Sequence, residues 1–254
     1  MLIHPTLDKI EHLRLFGMAK ALREQMENHE AATLSFEERL GLLIDREQTE
    51  RENKRLTTRL KSAKLRVSAA FEDIDFRQPR GLDKSLVMML ASNQWIKDRH
   101  NLIITGPTGA GKSYLACALA HKACRDGYVC LYQRLPRLLE DLSLARHDGR
   151  YPKLMKSLLK ADLLILDDFG LAAVAGEQQR NLLEIVEDRY DRRSTLITSQ
   201  LAVKHWHKTI GDPTIADAIL DRLVHNAYKI ELEGDSMRKI KSKIRSTVDK
   251  QKRL

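Results

Sequence analysis

Only three cysteines, Cys117, Cys124 and Cys130, occur in the 254 residues. They form no C-x-x-C pair and no even set, which argues against a disulfide framework or a cysteine zinc site and for a reducing cytosol. The nine histidines are scattered. His205 and His207, two residues apart, fall on different faces of a helix, which disfavours a metal site there. No uninterrupted apolar run approaches ~18 residues, and the amino terminus has no signal-peptide apolar region. There are no internal repeats and no low-complexity linker. A soluble, cytoplasmic protein without membrane contact is the expectation. Acids are also in deficit: 35 Asp and Glu stand against 44 Lys and Arg, a net charge of +9. That balance favours nucleic acid or an acidic surface as partner. With 43% hydrophobic residues, the chain can bury one sizeable core plus a smaller appendage.

What is present begins with a helix over 7–28, where Leu15, Met18, Ala19, Leu22 and Met26 keep three-to-four spacing. A second helix starts at Ser35, which forms a capping box with Glu38, and runs to about Leu65. Its second half is polar nearly all round, the pattern of a solvated helix or of one lying on a polar partner. Lys54 and Arg55, then Arg59, Lys61, Lys64 and Arg66, are candidates for phosphate contact along DNA. Residues 67–80 read as a linker or the first edge of the next domain, and 82–95 as a helix. From residue 101 strands and helices alternate, the signature of a parallel α/β sheet. The strands are expected at 101–105, 128–133, 162–167, 194–199 and 227–232. The helices are expected at 112–125, 135–146, 151–160, 177–192, 203–208 and 213–223. The last stretch, 238–254, carries eight Lys and Arg against one acid, a basic tail that is either solvated or in contact with DNA.

The chemistry centres on Gly106-Pro107-Thr108-Gly109-Ala110-Gly111-Lys112-Ser113, between an apolar strand and Tyr114 on an apolar helix. It fits the phosphate-binding pattern G-x-x-x-x-G-K-[ST]. Glycines let the backbone approach phosphate, and successive N–H groups at a helix start make an anion nest. Lys112 can reach the β- and γ-phosphates and Ser113 can hold Mg²⁺. A second motif, Leu163-Leu164-Ile165-Leu166-Asp167-Asp168, is a buried strand ending in acids at the edge where open α/β sheets bind ligands. Asp167 is placed for Mg²⁺ and Asp168 for polarising a water. A third, Thr195 to Gln200, offers Thr198 or Ser199 to the attacking water or γ-phosphate. A fourth, Asp221-Arg222-Leu223, puts an arginine near a helix end. Arg222 can complete a neighbour's nucleotide site, or it can pair locally with Asp217 or Asp221.

These motifs, with the late Gly234-Asp235-Ser236-Met237-Arg238, resemble in order the IstB-like family, the ATP-binding helpers of insertion-sequence transposition. That family is related to the DnaC-type helicase loaders within the AAA+ ATPases. The resemblance covers most of the chain. It implies an AAA+ core with a five-stranded parallel sheet over 67–237, preceded by a small helical domain over 1–66. It also implies nucleotide-dependent homo-oligomers on duplex DNA with little sequence preference, partnership with a cognate transposase, ATP and Mg²⁺ as cofactors, and Arg222 as an arginine finger. Two departures bear on function. AAA+ proteins usually carry Asp-Glu where Asp167-Asp168 stand, and the shorter acid points to slow hydrolysis. About 20 residues follow the last strand, which implies a truncated or absent lid and leaves Arg238 as a substitute sensor. The alternatives are a helicase loader, which shares every catalytic motif, and an ATP-binding scaffold with little turnover. A small-molecule P-loop kinase fits less well, because no acceptor pocket or arginine-rich lid is legible.

Overall fold

The computed structural model describes residues 5–28, 31, 33–234 and 236–237. The chain divides into two units, 1–58 and 59–254. Residues 59–66, grouped on sequence with the helical N-terminal part, fall with the larger unit.

The first unit holds α1 (Pro5–His12), α2 (Phe16–Glu27) and α3 (Phe36–Ala63) as far as Thr58. One helix expected over 7–28 is therefore two. α1 stops at Arg14, whose φ is 60°. Leu15 N–H donates to the Ile10 carbonyl at 3.1 Å and Arg14 N–H to the Glu11 carbonyl at 2.8 Å. This is a Schellman-type stop made without the glycine that would mark it in sequence. α3 starts as expected: Ser35 N–H donates to Glu38 at 2.8 Å and Glu38 N–H to the Ser35 hydroxyl at 3.2 Å. Its polar half hides one buried acid. Glu47 accepts from Met18 N–H at 3.1 Å and from Arg51 at 2.6 Å. Burial pushes its carboxyl up, but Arg51 and the backbone donors of Met18 and Gly17 outweigh that and hold it below its usual value. The charge stands at the amino end of α2, where the helix dipole favours it. Gly17 permits the approach, since a Cβ there would lie 2.8 Å from the Arg46 carbonyl oxygen.

The larger unit is built on five parallel strands: β1 (Asn101–Thr105), β2 (Cys130–Arg134), β3 (Leu163–Phe169), β4 (Ser194–Ser199) and β5 (Ala227–Glu231). Their order is β2-β3-β4-β1-β5. Before the sheet come α4 (Lys84–Leu90) and α5 (Gln94–Lys97); the helix expected over 82–95 breaks at Asn93, whose φ is 58°. Within the sheet region run α6 (Lys112–Arg125), α7 (Leu135–His147), α8 (Tyr151–Lys160), α9 (Glu177–Arg189), α10 (Trp206–Ile210) and α11 (Pro213–Val224). Val203–His205, expected to be part of a helix over 203–208, is a 3-10 turn leading into α10.

β1 and β4 are buried throughout and β3 nearly so, with apolar centres at residues 102–104, 163–166 and 196–197. Around them pack Leu138, Leu142, Leu182, Ile185, Ile219 and Leu223, with the Phe169 and Trp206 rings 4.3 Å apart at their centroids. Parallel pairing sends the carboxyl ends of β1, β3 and β4 to one edge, with Thr105 beside Ser199. One irregularity matters there. Leu166 pairs with Ile197 and Phe169 with Ser199, so Asp167 and Asp168 together face Thr198. Asp168 sits in the left-handed region at φ 63°. This bulge sets Asp167 against Ser113 and Thr198, and Asp168 against Arg134 at the end of β2.

Candidate nucleotide site

The loop between β1 and α6 is shaped by a backbone that a side chain would disrupt. Gly106 has φ 143°, and a Cβ there would overlap the Leu232 carbonyl. Gly106→Ala is expected to cost about 3 kcal/mol from backbone strain and overpacking. Urea unfolding checks this, and a loss below about 1 kcal/mol would mean that the loop relaxes.

The rest of the cradle is fixed by hydrogen bonds within the motif and from outside it. Lys112 is buried, and its ammonium donates to the Gly106 carbonyl at 2.7 Å and to that of Pro107 at 2.9 Å. Thr108 donates to Gln200 at 2.7 Å. Met237 N–H donates to the Gly109 carbonyl at 3.0 Å, so the chain after β5 crosses the loop. Arg80 is buried and ties the Ala110 carbonyl to that of Asp75, each at 3.0 Å. Burial pushes its guanidinium below the usual value while Asp75 and Tyr114 oppose that. A cleft of about 500 Å³ opens here, lined by Arg66, Arg80, Lys112, Ser113, Tyr114 and Asp168 among others.

The acids behave differently from one another. Asp167 is fully buried. It accepts from Ser113 at 2.9 and 3.1 Å, from the Thr198 and Tyr132 hydroxyls, and from Arg66 at 3.3 Å. Burial, then the hydrogen bond to Asp167, raises the Tyr132 phenol, so it remains a proton donor. Asp168 is partly exposed and is gripped by Arg134 through two nitrogens, both at 2.9 Å. Of the two residues left open on β4, Thr198 faces the acids: its hydroxyl meets Asp167 and accepts from Asp168 N–H at 3.3 Å. Ser199 turns away, donating to the Phe169 carbonyl at 2.7 Å and accepting from Leu201 N–H at 3.0 Å.

The structure thus brings together Gly106 to Tyr114, Asp167, Asp168 and Thr198. It does not bring Arg222. That residue lies in the last turn of α11, its backbone carbonyl accepts from Asn101 at 3.1 Å, and Asn101 begins β1 at the opposite edge of the sheet. Its side-chain partners are the Ala218 carbonyl at 2.8 Å and Glu187 on α9 at 2.9 Å, not Asp217 or Asp221. The expected DNA-contacting set divides. Lys54, Arg55, Lys61 and Lys64 are exposed. Arg59 is tied to the Cys124 carbonyl at 2.7 Å, and Arg66 turns to the acids instead. Arg238 and the basic tail lie outside the described residues. Sequence reasoning missed the contacts of Arg66, Arg80, Tyr132, Arg134 and Gln200. The nearest signal was strand register: Arg134 stands opposite Asp167 across β2 and β3.

A parallel sheet in this strand order, with a phosphate loop after β1 and paired acids near the end of β3, defines a P-loop nucleotide-binding domain of the AAA+ class. Solved structures agree on the fold. DnaI aligns with a TM-score of 0.58 at 23% identity, over 66% of this chain and 92% of its own. The DnaC helicase loader aligns at 0.56 and 19% identity, over 65% of this chain and 96% of its own. The chain belongs to the IstB-like ATP-binding protein family, whose model matches residues 8–246. Among its relatives is the insertion-sequence ATP-binding protein y4pL of Sinorhizobium fredii, 56% identical over 239 residues, 94% of this chain and 98% of that one.

The donor set suits Mg²⁺. Ser113 and Asp167 present hard oxygens side by side, and among the described residues no cluster of three or more His, Cys, Asp or Glu forms a metal cage. Mg²⁺ is held in that fashion, by one or two protein oxygens together with substrate phosphates.

Proposed function

We propose that this chain is an ATPase that assembles as a homo-oligomer on duplex DNA and recruits or activates the transposase of its insertion sequence. The observation that carries this reading is the separation of Arg222 from an otherwise complete site. Lys112, Ser113, Asp167, Asp168 and Thr198 converge at one edge of the sheet, while Arg222 sits at the other. Within one copy Arg222 cannot reach a γ-phosphate, but on a neighbour it can.

In this reading Lys112 leaves the Gly106 and Pro107 carbonyls for the β- and γ-phosphate oxygens. Ser113 and Asp167 would hold Mg²⁺, which neutralises phosphate charge when bound. Thr198 orients the attacking water and Asp168 accepts its proton. A neighbour's Arg222 stabilises charge developing on the γ-phosphate. Hydrolysis then depends on assembly. Electron microscopy of the protein with ATP and duplex DNA at low salt tests this directly, and a protein that stays monomeric there defeats it.

DNA would be held through phosphates by exposed cations, Lys54, Arg55, Lys61 and Lys64 among them. Binding should therefore weaken steeply between 50 and 200 mM salt and differ little between unrelated duplexes. Lys54→Ala with Arg55→Ala should lower the slope of log affinity against log salt by about two. Fluorescence anisotropy measures it; an unchanged slope removes these residues from the interface.

A helicase loader is the second reading, favoured by the likeness in fold to DnaC. Pull-downs with transposase and with replicative helicase separate the two. A scaffold with little turnover is excluded if phosphate release on DNA is measurable and vanishes with Asp168→Asn.

A further inference from the structure

The buried acid of this site is held by a charge that the reading above leaves without a task. Asp167 is fully buried and accepts from four donors: Ser113, Thr198, Tyr132 and Arg66. A carboxylate offers about four lone-pair sites, so the set is full. Three of the donors are neutral hydroxyls carried by the framework: Ser113 on α6, Tyr132 on β2 and Thr198 on β4.

Arg66 differs from them in charge and in freedom. It brings a positive charge to Asp167 at 3.3 Å and to Asp168 at 3.7 Å. Its side chain is 42% exposed. It lies outside any helix or strand, two residues past Lys64, whose φ is 52°. A buried carboxylate requires a countercharge, since a lone ion is expensive to bury. Arg66 provides it. A divalent cation drawn to Ser113 and Asp167 meets a guanidinium of its own sign on the same oxygens. The three hydroxyls can stay in place beside a metal; the guanidinium cannot, and it is the most exposed of the four donors.

We propose that Arg66 is an exchangeable countercharge, which competes with Mg²⁺ for Asp167 and Asp168 and releases them when Mg²⁺ and ATP bind. The inference rests on the reading of the cleft as an Mg²⁺–ATP site. It makes the Mg²⁺ requirement of nucleotide binding a property set in part by this one residue. It also gives the acids a compensated state in which the protein can fold and persist between rounds of nucleotide binding.

The test is binding of a fluorescent ATP analogue to the full-length chain as Mg²⁺ is titrated, with thermal melts in EDTA and in saturating Mg²⁺ and ATP. Arg66→Gln should lower the Mg²⁺ midpoint on the order of tenfold, the weight of one charged hydrogen bond. Arg66→Lys should lower it by a smaller factor, because an ammonium spans two carboxylates less well than a guanidinium. In EDTA the Gln variant should melt below the wild type, and Mg²⁺ with ATP should narrow that gap. A midpoint equal to or above the wild-type value overturns the proposal, as does an equal drop in melting temperature under both conditions. If the Gln variant has no cooperative melt, the Lys variant decides by the same criterion. A wild-type chain that binds no analogue at any Mg²⁺ concentration defeats the ATP reading itself, an outcome distinct from a failure of the exchange.

Discussion

Lys112→Ala should bind ATP about 100-fold more weakly than the wild type. The ammonium is buried at the start of α6 and its partners are two backbone carbonyls of the loop, Gly106 and Pro107. It is therefore already positioned over the cradle. Removing a desolvated, hydrogen-bonded charge from a binding contact costs about 3 kcal/mol, which corresponds to roughly 100-fold in affinity. Two effects must be kept apart. The orphaned carbonyls cost folding stability, on the order of 1–3 kcal/mol if they stay buried, whereas the affinity loss belongs to the nucleotide contact. Calorimetric titration with ATP, beside a thermal melt of the same sample, separates them. A variant that melts lower but binds within about fivefold of the wild type would show that the ammonium is a strut for the loop and not a phosphate ligand.

The second large effect is expected at Arg222. Its alanine variant should hydrolyse ATP about 1,000-fold more slowly in the DNA-bound assembly, the lower end of what a trans arginine contributes. A single chain should bind ATP as before, since the residue stands at the far edge of the sheet from the loop. Loss of the pair with Glu187 is a small confound. Both partners are partly exposed, at 28% and 47%, and such pairs contribute at most about 1 kcal/mol. A mixing experiment gives the sharper readout. Arg222→Ala retains Asp168, and Asp168→Asn retains Arg222. Mixed assemblies contain junctions with both intact, so activity should rise well above that of either variant alone. If mixing restores nothing while assemblies form normally, Arg222 is not supplied across copies.

Much of the fold was legible because its signals are local. Apolar runs at the centres of β1 and β3, Leu102 to Ile104 and Leu163 to Leu166, marked strands buried on both faces. The phosphate loop and the acids were legible because their spacing is itself the chemistry. The misreadings share a different cause. Arg14 and Asn93 interrupt helices in left-handed conformations that glycine would have announced. Glu47 looked solvated because its burial comes from another helix. Arg66 sat in a run of cations and was read with them, yet its partners lie about a hundred positions away along the chain. Choosing between Thr198 and Ser199 required the bulge, which is a matter of pairing between strands and leaves no trace in β4 alone.

That bulge also bears on how the acid at position 168 could have changed over time. A longer acid is usual in this place among AAA+ proteins, and the short one looks at first like a weakened catalyst. At φ 63°, however, the backbone discriminates before catalysis does. Among residues other than glycine, Asp and Asn enter the left-handed region most readily, because their short polar groups can bond locally. Glutamate has no such compensation. It would sit there at some cost, as Arg14 and Lys64 do elsewhere in the chain. A change to the longer acid at this position therefore starts from a backbone that suits the shorter one.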